Sequence, residues 1–292
     1  MNFSAPAPSV RPVETDHVAR VAAPPLEATL ARVSARSARW AVRIGWPAEP
    51  YWLEAATIRE RLDGLMAAIG VRYRTTDQAV TGTFLLNTYV RAIVGPALAS
   101  LATERRVPDV APDNVAFRFG PDGIVQELAL AAPRFAALPE DPDADHPDAT
   151  ILADVTALRG WLRERLLCGH LADLVPLLRA RTRRGPRALW GTASDMCSGV
   201  FAILAEAEGS VKAAEELDAE SRAFLATGPP LLVGPPLCPV MHAGGMAAGR
   251  QRLTCCLAYR LPDYEMCTSC PGVHPAERER RLRAQLERHE EL

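Results

Sequence analysis

Within Asn114–Val115–Ala116–Phe117–Arg118–Phe119–Gly120–Pro121–Asp122–Gly123–Ile124 the periodicity of the chain changes. Asn114 to Phe119 alternates apolar and polar residues, the period of a half-buried strand. Gly120–Pro121–Asp122–Gly123 is turn chemistry, and Ile124 to Ala131 resumes as a strand, with polar Gln126 and Glu127 breaking its apolar pattern. The spacing predicts a β-hairpin. On both sides the pattern is helical. Upstream, helices are expected from Leu26 to about Ile44, from about Leu53 to Ile69, and from about Asp77 to Thr103, the last with Phe84, Leu85, Tyr89, Ile93, Val94 and Leu98 as its buried stripe. Downstream, they are expected at about Val155–Arg181, Pro186–Glu208, Val211–Thr227 and Pro275–Leu292. The fold class is therefore α+β: predominantly helical, with a small antiparallel sheet, and with a cysteine-bearing region at the C-terminus. No internal repeat is visible.

Composition shifts divide the chain further. Residues 1–25 are rich in Pro and Ala without a periodic apolar face, and read as a disordered tail. A helical region with the hairpin follows over 26–138, a second helical region over 148–236, and the cysteine-bearing region over 237–292. Between the two helical regions lies an acidic, Pro-rich loop carrying Glu140, Asp141, Asp143 and Asp145, expected to be a solvated linker.

Bulk properties narrow the function classes. Hydrophobic residues make up 48% and charged residues 23% of the chain, so a packed core is expected. The formal net charge of −2 gives no electrostatic basis for nucleic-acid binding. Arginine supplies nearly all the positive charge, since Lys212 is the only lysine. No secretory pattern opens the sequence, and no apolar stretch approaches the ~20 residues that span a bilayer. A cytoplasmic protein without an integral membrane segment is expected. Seven cysteines in that compartment argue against a disulfide framework, and four of them fall within the 16 residues from Cys255 to Cys270.

Those four are Cys255, Cys256, Cys267 and Cys270, spaced C-C-x10-C-x2-C. A Cys-x-x-Cys turn aims two sulfurs at one point and suits both zinc and iron. The adjacent pair is unusual. Neighbouring side chains on an extended strand point to opposite faces, so the backbone at Cys255–Cys256 must leave extended geometry if both sulfurs ligate. A binuclear iron–sulfur cluster, whose thiolate positions are spread over a wider span, matches this spacing better than a single tetrahedral zinc. Zinc remains open on spacing alone. Pro262 and Asp263 favour a turn that returns the second pair, and Pro271 follows the last cysteine. Arg250, Arg252 and Arg260 lie nearby; guanidinium groups would favour a reduced, more anionic cluster, though each singly reads as solvated.

At this point the sequence resembles a family. Thr254–Cys255–Cys256–Leu257–Ala258–Tyr259–Arg260–Leu261–Pro262 with Cys267–Thr268–Ser269–Cys270–Pro271 is similar to the C-terminal signature of the FhuF-like ferric-siderophore reductases. Upstream, Arg187–Ala188–Leu189–Trp190–Gly191–Thr192–Ala193–Ser194 also resembles a family segment, where Asn is common at the position held here by Thr192. The resemblance is strong over about the last 40 residues and weaker back to roughly Val155. It implies a [2Fe–2S] cluster held by the four cysteines, a ferric siderophore as substrate, and a cytoplasmic reductase. Siderophores hold Fe³⁺ with hard anionic oxygens that bind Fe²⁺ far less tightly, so one electron releases the metal. No nucleotide fingerprint such as G-x-G-x-x-G between strand and helix is present, which implies an external electron donor, protein or small molecule. The rivals are a non-enzymatic siderophore-related module with structural zinc, and a plain [2Fe–2S] electron carrier.

Other residues are weaker candidates. The basic run Arg179, Arg181, Arg183, Arg184 and Arg187 is a possible attractor for an anionic complex, against the plainer reading of a solvated helix end. Cys168, Cys197 and Cys238 read as buried packing cysteines, with Cys238 a reserve ligand. His170 and His242 read as packing or hydrogen-bonding residues, and Leu162, Leu166, Leu167, Leu171 and Leu174 as core.

Overall fold

The computed structural model describes residues 23–46, 51–242 and 244–290. The tail expected over 1–25 lies almost wholly outside the described residues. Helix α1 (Pro25–Arg36) leads through a short 3₁₀ turn to strand β1 (Val42–Ile44). Strand β2 (Trp52–Glu54) and a 3₁₀ segment over Ala55–Arg61 precede α2 (Leu62–Arg72). The first two helices expected from the sequence are thus shorter, each exchanging one end for a three-residue strand. Three residues are too few to impose a legible period of two.

Helix α3 (Gln78–Glu104) is the central element. Asp77 caps it, its carboxylate accepting from the Ala79 N–H at 2.8 Å, and the chain leaves it through Arg105 in left-handed geometry. The indole of buried Trp40 lies against Gly95 of α3, where a Cβ would stand 2.5 Å from its ring. Beyond α3, β3 (Val107–Pro108) leads to β4 (Val115–Phe119) and β5 (Val125–Leu130), the hairpin expected at this place. Its register pairs Val115 with Leu130 and Phe117 with Leu128. The sheet is wider than expected: β1 joins β5 in parallel and β2 joins β4 antiparallel, giving the order β1-β5-β4-β2. Strands β6 (Phe135–Ala137) and β7 (Ala149–Ile151) form a second small sheet with β3.

The acidic loop between β6 and β7 is not simply solvated. Asp141 and Arg106 form an ion pair in which both side chains are only 7% exposed, and Asp143 joins it at 2.7 Å. Buried carboxylates are kept only with such partners. Burial opposes ionisation of Asp141, but the Arg106 guanidinium and the Asp143 N–H hold its carboxyl below the usual range.

Helix α4 (Val155–Glu164) continues through a π-helical turn over Arg165–Leu171 into α5 (Ala172–Thr182). Leu162, Leu166, Leu167, Leu171 and Leu174 are buried as expected. His170 is buried in the wide turn, its Nε2 donating to the Val110 carbonyl at 2.6 Å and its Nδ1 accepting from Tyr89 at 2.7 Å. Helix α6 (Pro186–Glu208) packs on α3, and α7 (Val211–Leu225) packs on α6. One apolar core runs from Leu26 to Leu231 and joins all these elements. A second hairpin of β8 (Cys238–His242) and β9 (Gly245–Gly249), absent from the sequence reading, and a final helix α8 (Pro275–Glu290) flank the cysteine segment.

By length and composition α3 and α6 are both apolar enough to cross a bilayer, contrary to the expectation that no stretch approaches that length. Scattered Thr, Ser, Gly and Asn interrupt their apolar runs without making the helices polar. Of the apolar windows, 83% in α3 and 72% in α6 is buried inside the fold.

Candidate metal centre

The segment Gln251–Gly272 lies against the N-terminal half of α6 and is bound to it by polar contacts. Asp195 of α6 is 1% exposed. Its carboxylate accepts from the Leu253 N–H at 2.7 Å, the Thr254 N–H at 3.2 Å and Arg252 Nε at 3.3 Å. Arg252, itself buried, also reaches Asn87 of α3. Arg250 donates to the Asp195 carbonyl; burial pushes its pKa down to about 10, so it stays a cation at neutral pH. Neither Arg250 nor Arg252 is therefore the solvated arginine that the sequence alone suggested. Arg260 is exposed and pairs with Asp77. At Gly191 a Cβ would stand 2.5 Å from the Thr254 methyl, so only glycine lets the segment approach this closely. The neighbouring Thr192 hydroxyl meets that of Thr254 at 3.1 Å.

Past this anchor the chain leaves extended geometry, as two ligating neighbours require. Leu257 adopts φ 65°, its N–H donates to Cys255 Sγ at 3.3 Å, and a 3₁₀ turn follows over Ala258–Arg260. A left-handed leucine is unfavourable by ~1–2 kcal/mol. Its side chain is held in a small apolar cluster with Val80 and Leu261. The second pair returns through a turn closed by the Cys270 N–H on the Cys267 carbonyl at 2.9 Å, and the Arg252 N–H ties it to the first at the Ser269 carbonyl.

Arginines clamp the loop carbonyls. Buried Arg278 donates to Thr268, Cys270 and Val273, Arg281 to Met266, and Arg184 to Cys255. The basic run before Trp190 is thus only partly a solvated helix end. Arg181 is occupied by Asp63, whereas Arg184 belongs to the cysteine site. Burial lowers the pKa of Arg184, and its Nε is a buried donor without a partner. An unpaired buried donor beside Cys255 and Cys256 suits an anionic occupant.

The four cysteines lie close enough to influence one another. Cys256 is within hydrogen-bonding reach of Cys267, and Cys255 of Cys270. Contact with Cys256 and with the Ser269 hydroxyl draws Cys267 down to about 5, although burial opposes it, while the same contact pushes Cys256 up. Among the described residues, no three His, Cys, Asp or Glu side chains converge as a single metal ion would require. Four thiols gathered on one segment, with the unpaired Arg184 Nε beside them, fit the donor set of an anionic iron–sulfur cluster.

The remaining cysteines and histidine separate differently. Cys197 is buried, with its thiol pushed up to about 12. Cys168 and Cys238 are exposed, which corrects their reading as buried. Cys168 faces outward from the π-helical turn, and Cys238 begins an edge hairpin. His242 hydrogen-bonds Glu287. Asp195 escaped the sequence reading, yet it is the only charged residue between Arg187 and Glu206 on an otherwise apolar helix. That isolation was a legible sign of a buried, partnered carboxylate.

A family model described as ferric iron reductase FhuF-like transporter matches residues 84–241, and one for the FhuF 2Fe-2S C-terminal domain matches residues 252–271. The first match reaches well upstream of Val155, into α3. No curated protein matches. Among solved structures, ATP-bound aerobactin synthetase IucA from a hypervirulent pathotype of Klebsiella pneumoniae aligns at 12% identity and a TM-score of 0.48, over 60% of this chain and 40% of that one. Aerobactin synthetase IucC from the same source aligns at 15% identity and 0.41, over 63% and 33%. The chain spans well under half the length of either synthetase.

Proposed function

This chain belongs to the FhuF-like ferric iron reductase family and has that family's [2Fe–2S] domain, and from that premise we propose that it is a cytoplasmic reductase that passes one electron to Fe³⁺ in a siderophore complex. The residues that would hold the cluster in this reading are Cys255, Cys256, Cys267 and Cys270. The match of residues 252–271, which carry all four cysteines, to the family's 2Fe-2S domain is the observation that carries it, with the unpaired Arg184 Nε beside Cys255 suited to an anionic occupant. When bound, a [2Fe–2S] cluster supplies one electron at a time.

The chain's own residues supply the setting. Asp195 fixes the strand entering the site, and Arg184, Arg278 and Arg281 fix its carbonyls. The cations Arg184 and Arg252 face the sulfurs and favour the more negative, reduced state. No proton need be moved for electron transfer itself, so no side chain is assigned as acid or base. The electron arrives from an external donor, and Fe²⁺ leaves because hard anionic oxygens hold it weakly.

The test is an absorption and electron-resonance spectrum of anaerobically purified protein, followed by mixing the reduced protein with a ferric siderophore. A red-brown, bleachable chromophore that returns on mixing, with one Fe²⁺ formed per cluster, is expected. Serine in place of any of the four cysteines should abolish or alter the spectrum. A colourless zinc protein would refute the reading, and a chromophore that no ferric siderophore reoxidises would leave only an electron carrier.

A further inference from the structure

One cavity, of about 690 Å³, is bordered by Asp63, Met66, Gly70 and Arg181 and contains no cysteine. Its arginines are already neutralised, Arg181 by Asp63 and Arg74 by Asp263. A second cavity, of about 500 Å³, differs in both respects. Cys256 and Arg252 form one wall, and Arg39, Arg72 and Arg91 stand around it. Tyr73 and Phe84 give it an aromatic side, their ring centroids 4.7 Å apart. It adjoins a smaller cavity of about 330 Å³, with Arg39, Asn87, Arg91 and Arg252 common to both. These sizes suit a ligand of several hundred daltons.

The charges here are unbalanced. Glu127, the carboxylate in the larger cavity, pairs with Arg118 and Arg43. Arg72 pairs with Asp122, and Arg252 with Asp195. Arg39 and Arg91 have no carboxylate partner among the described residues. Both are exposed to solvent, yet Arg91 is crowded by protein and by the guanidinium groups of Arg39 and Arg252, which together push its pKa down. Arg252 is balanced by Asp195 and Glu206 borders the smaller cavity, but no carboxylate among the described residues pairs with Arg39 or Arg91; cations held this close raise each other's energy, and a bound anion would relieve that.

Resting on the reductase reading above, we propose that this cavity is the substrate site and that it selects ferric chelates of net negative charge, held by Arg39 and Arg91 against the Cys256 side of the cluster segment. Arg39 lies just after α1 and Arg91 on α3, so the N-terminal part of the chain supplies the binding wall and the C-terminal segment the electron. The aromatic side suits chelates with flat aromatic arms.

Gallium(III) has the charge and nearly the size of Fe³⁺ and is not reduced here, so it separates binding from electron transfer. Calorimetric titration of the oxidised holoprotein would use two probes: the gallium complex of a hexadentate triscatecholate, net charge −3, and that of a neutral trihydroxamate. Wild type should prefer the anion. Arg39→Ala/Arg91→Ala should weaken the anion at least tenfold and leave the neutral complex unchanged, with cluster absorption intact, and Arg91→Lys should retain most of the affinity. Equal anion affinity in the double variant and wild type, or no preference in wild type, would overturn the proposal. Reoxidation of the reduced holoprotein by the ferric triscatecholate distinguishes the two readings. Persistence at the wild-type rate in the double variant removes the cavity but keeps the reductase, whereas its absence in wild type removes both.

Discussion

The region around α3 and the segment that carries the four cysteines are held by different forces. Tyr89, Ile93, Phe117 and their neighbours belong to one apolar core that extends from Leu26 to Leu231. Residues 250–274 contribute nothing to that core. Their apolar contacts are small clusters such as Val80 with Leu257 and Leu261, and the rest is Asp195, Arg278, Arg184 and sulfur. Burial of apolar surface stabilises the first region whether or not metal is present. The second lacks such surface, so its order depends on polar anchors and on its ligand.

Removing the metal should separate the two most sharply. In chelated, reduced protein, amides of residues 250–274 should lose hydrogen-exchange protection by orders of magnitude while α3 and the interior of α6 keep theirs. Loss of protection in α3 as well would mean that the regions fold as one unit. The next effect concerns the anchor between them. Asp195→Ala leaves Arg252 buried without its carboxylate, a change that destabilises by about 3–5 kcal/mol. Cluster content after purification should fall steeply, with Asp195→Asn intermediate; a fully loaded, equally stable Ala variant would show that the anchor is dispensable.

A smaller effect lies wholly within the core. Burial pushes His170 down to about 4, from an ordinary 6.5. Between those values the unfolded chain binds a proton that the folded chain refuses. Stability from this group is therefore complete above pH 6.5 and is lost as pH falls through 4, by about 3 kcal/mol in all. Urea unfolding of wild type and His170→Gln from pH 7.5 to 4 should give curves that converge toward acid. Parallel curves would assign the acid sensitivity elsewhere.

Much of this division was readable in the sequence. Long helices with a sustained stripe, such as Gln78–Glu104 and Pro186–Glu208, fall where periodicity placed them, and so does the Val115–Leu130 hairpin. Strands of three residues did not register, because their partners are distant and pairing alone makes them strands. The β8–β9 hairpin is built partly from Gly245, Ala247, Ala248 and Gly249, residues with little strand propensity. The cysteine spacing and its family signature were plain. The residues that support the site were not, because Asn87, Arg184 and Asp195 act across distances of tens of residues that no local pattern records. The pairing of arginines with carboxylates was equally hidden, and with it the identity of the two left over.

The missing methyl at Gly191 has a consequence for electron flow. Tunnelling rates fall exponentially with distance, so a reductase needs its redox centre kept at a constant depth. Thr254 rests on bare helix backbone at Gly191, one residue before the first sulfur. The depth of the centre is thereby referenced to a rigid helix and not to the tether of the loop. Even alanine at this position would act as a shim, lifting the cysteine segment away from the body of the protein and, on the reductase reading, slowing transfer across that gap with all four cysteines still present.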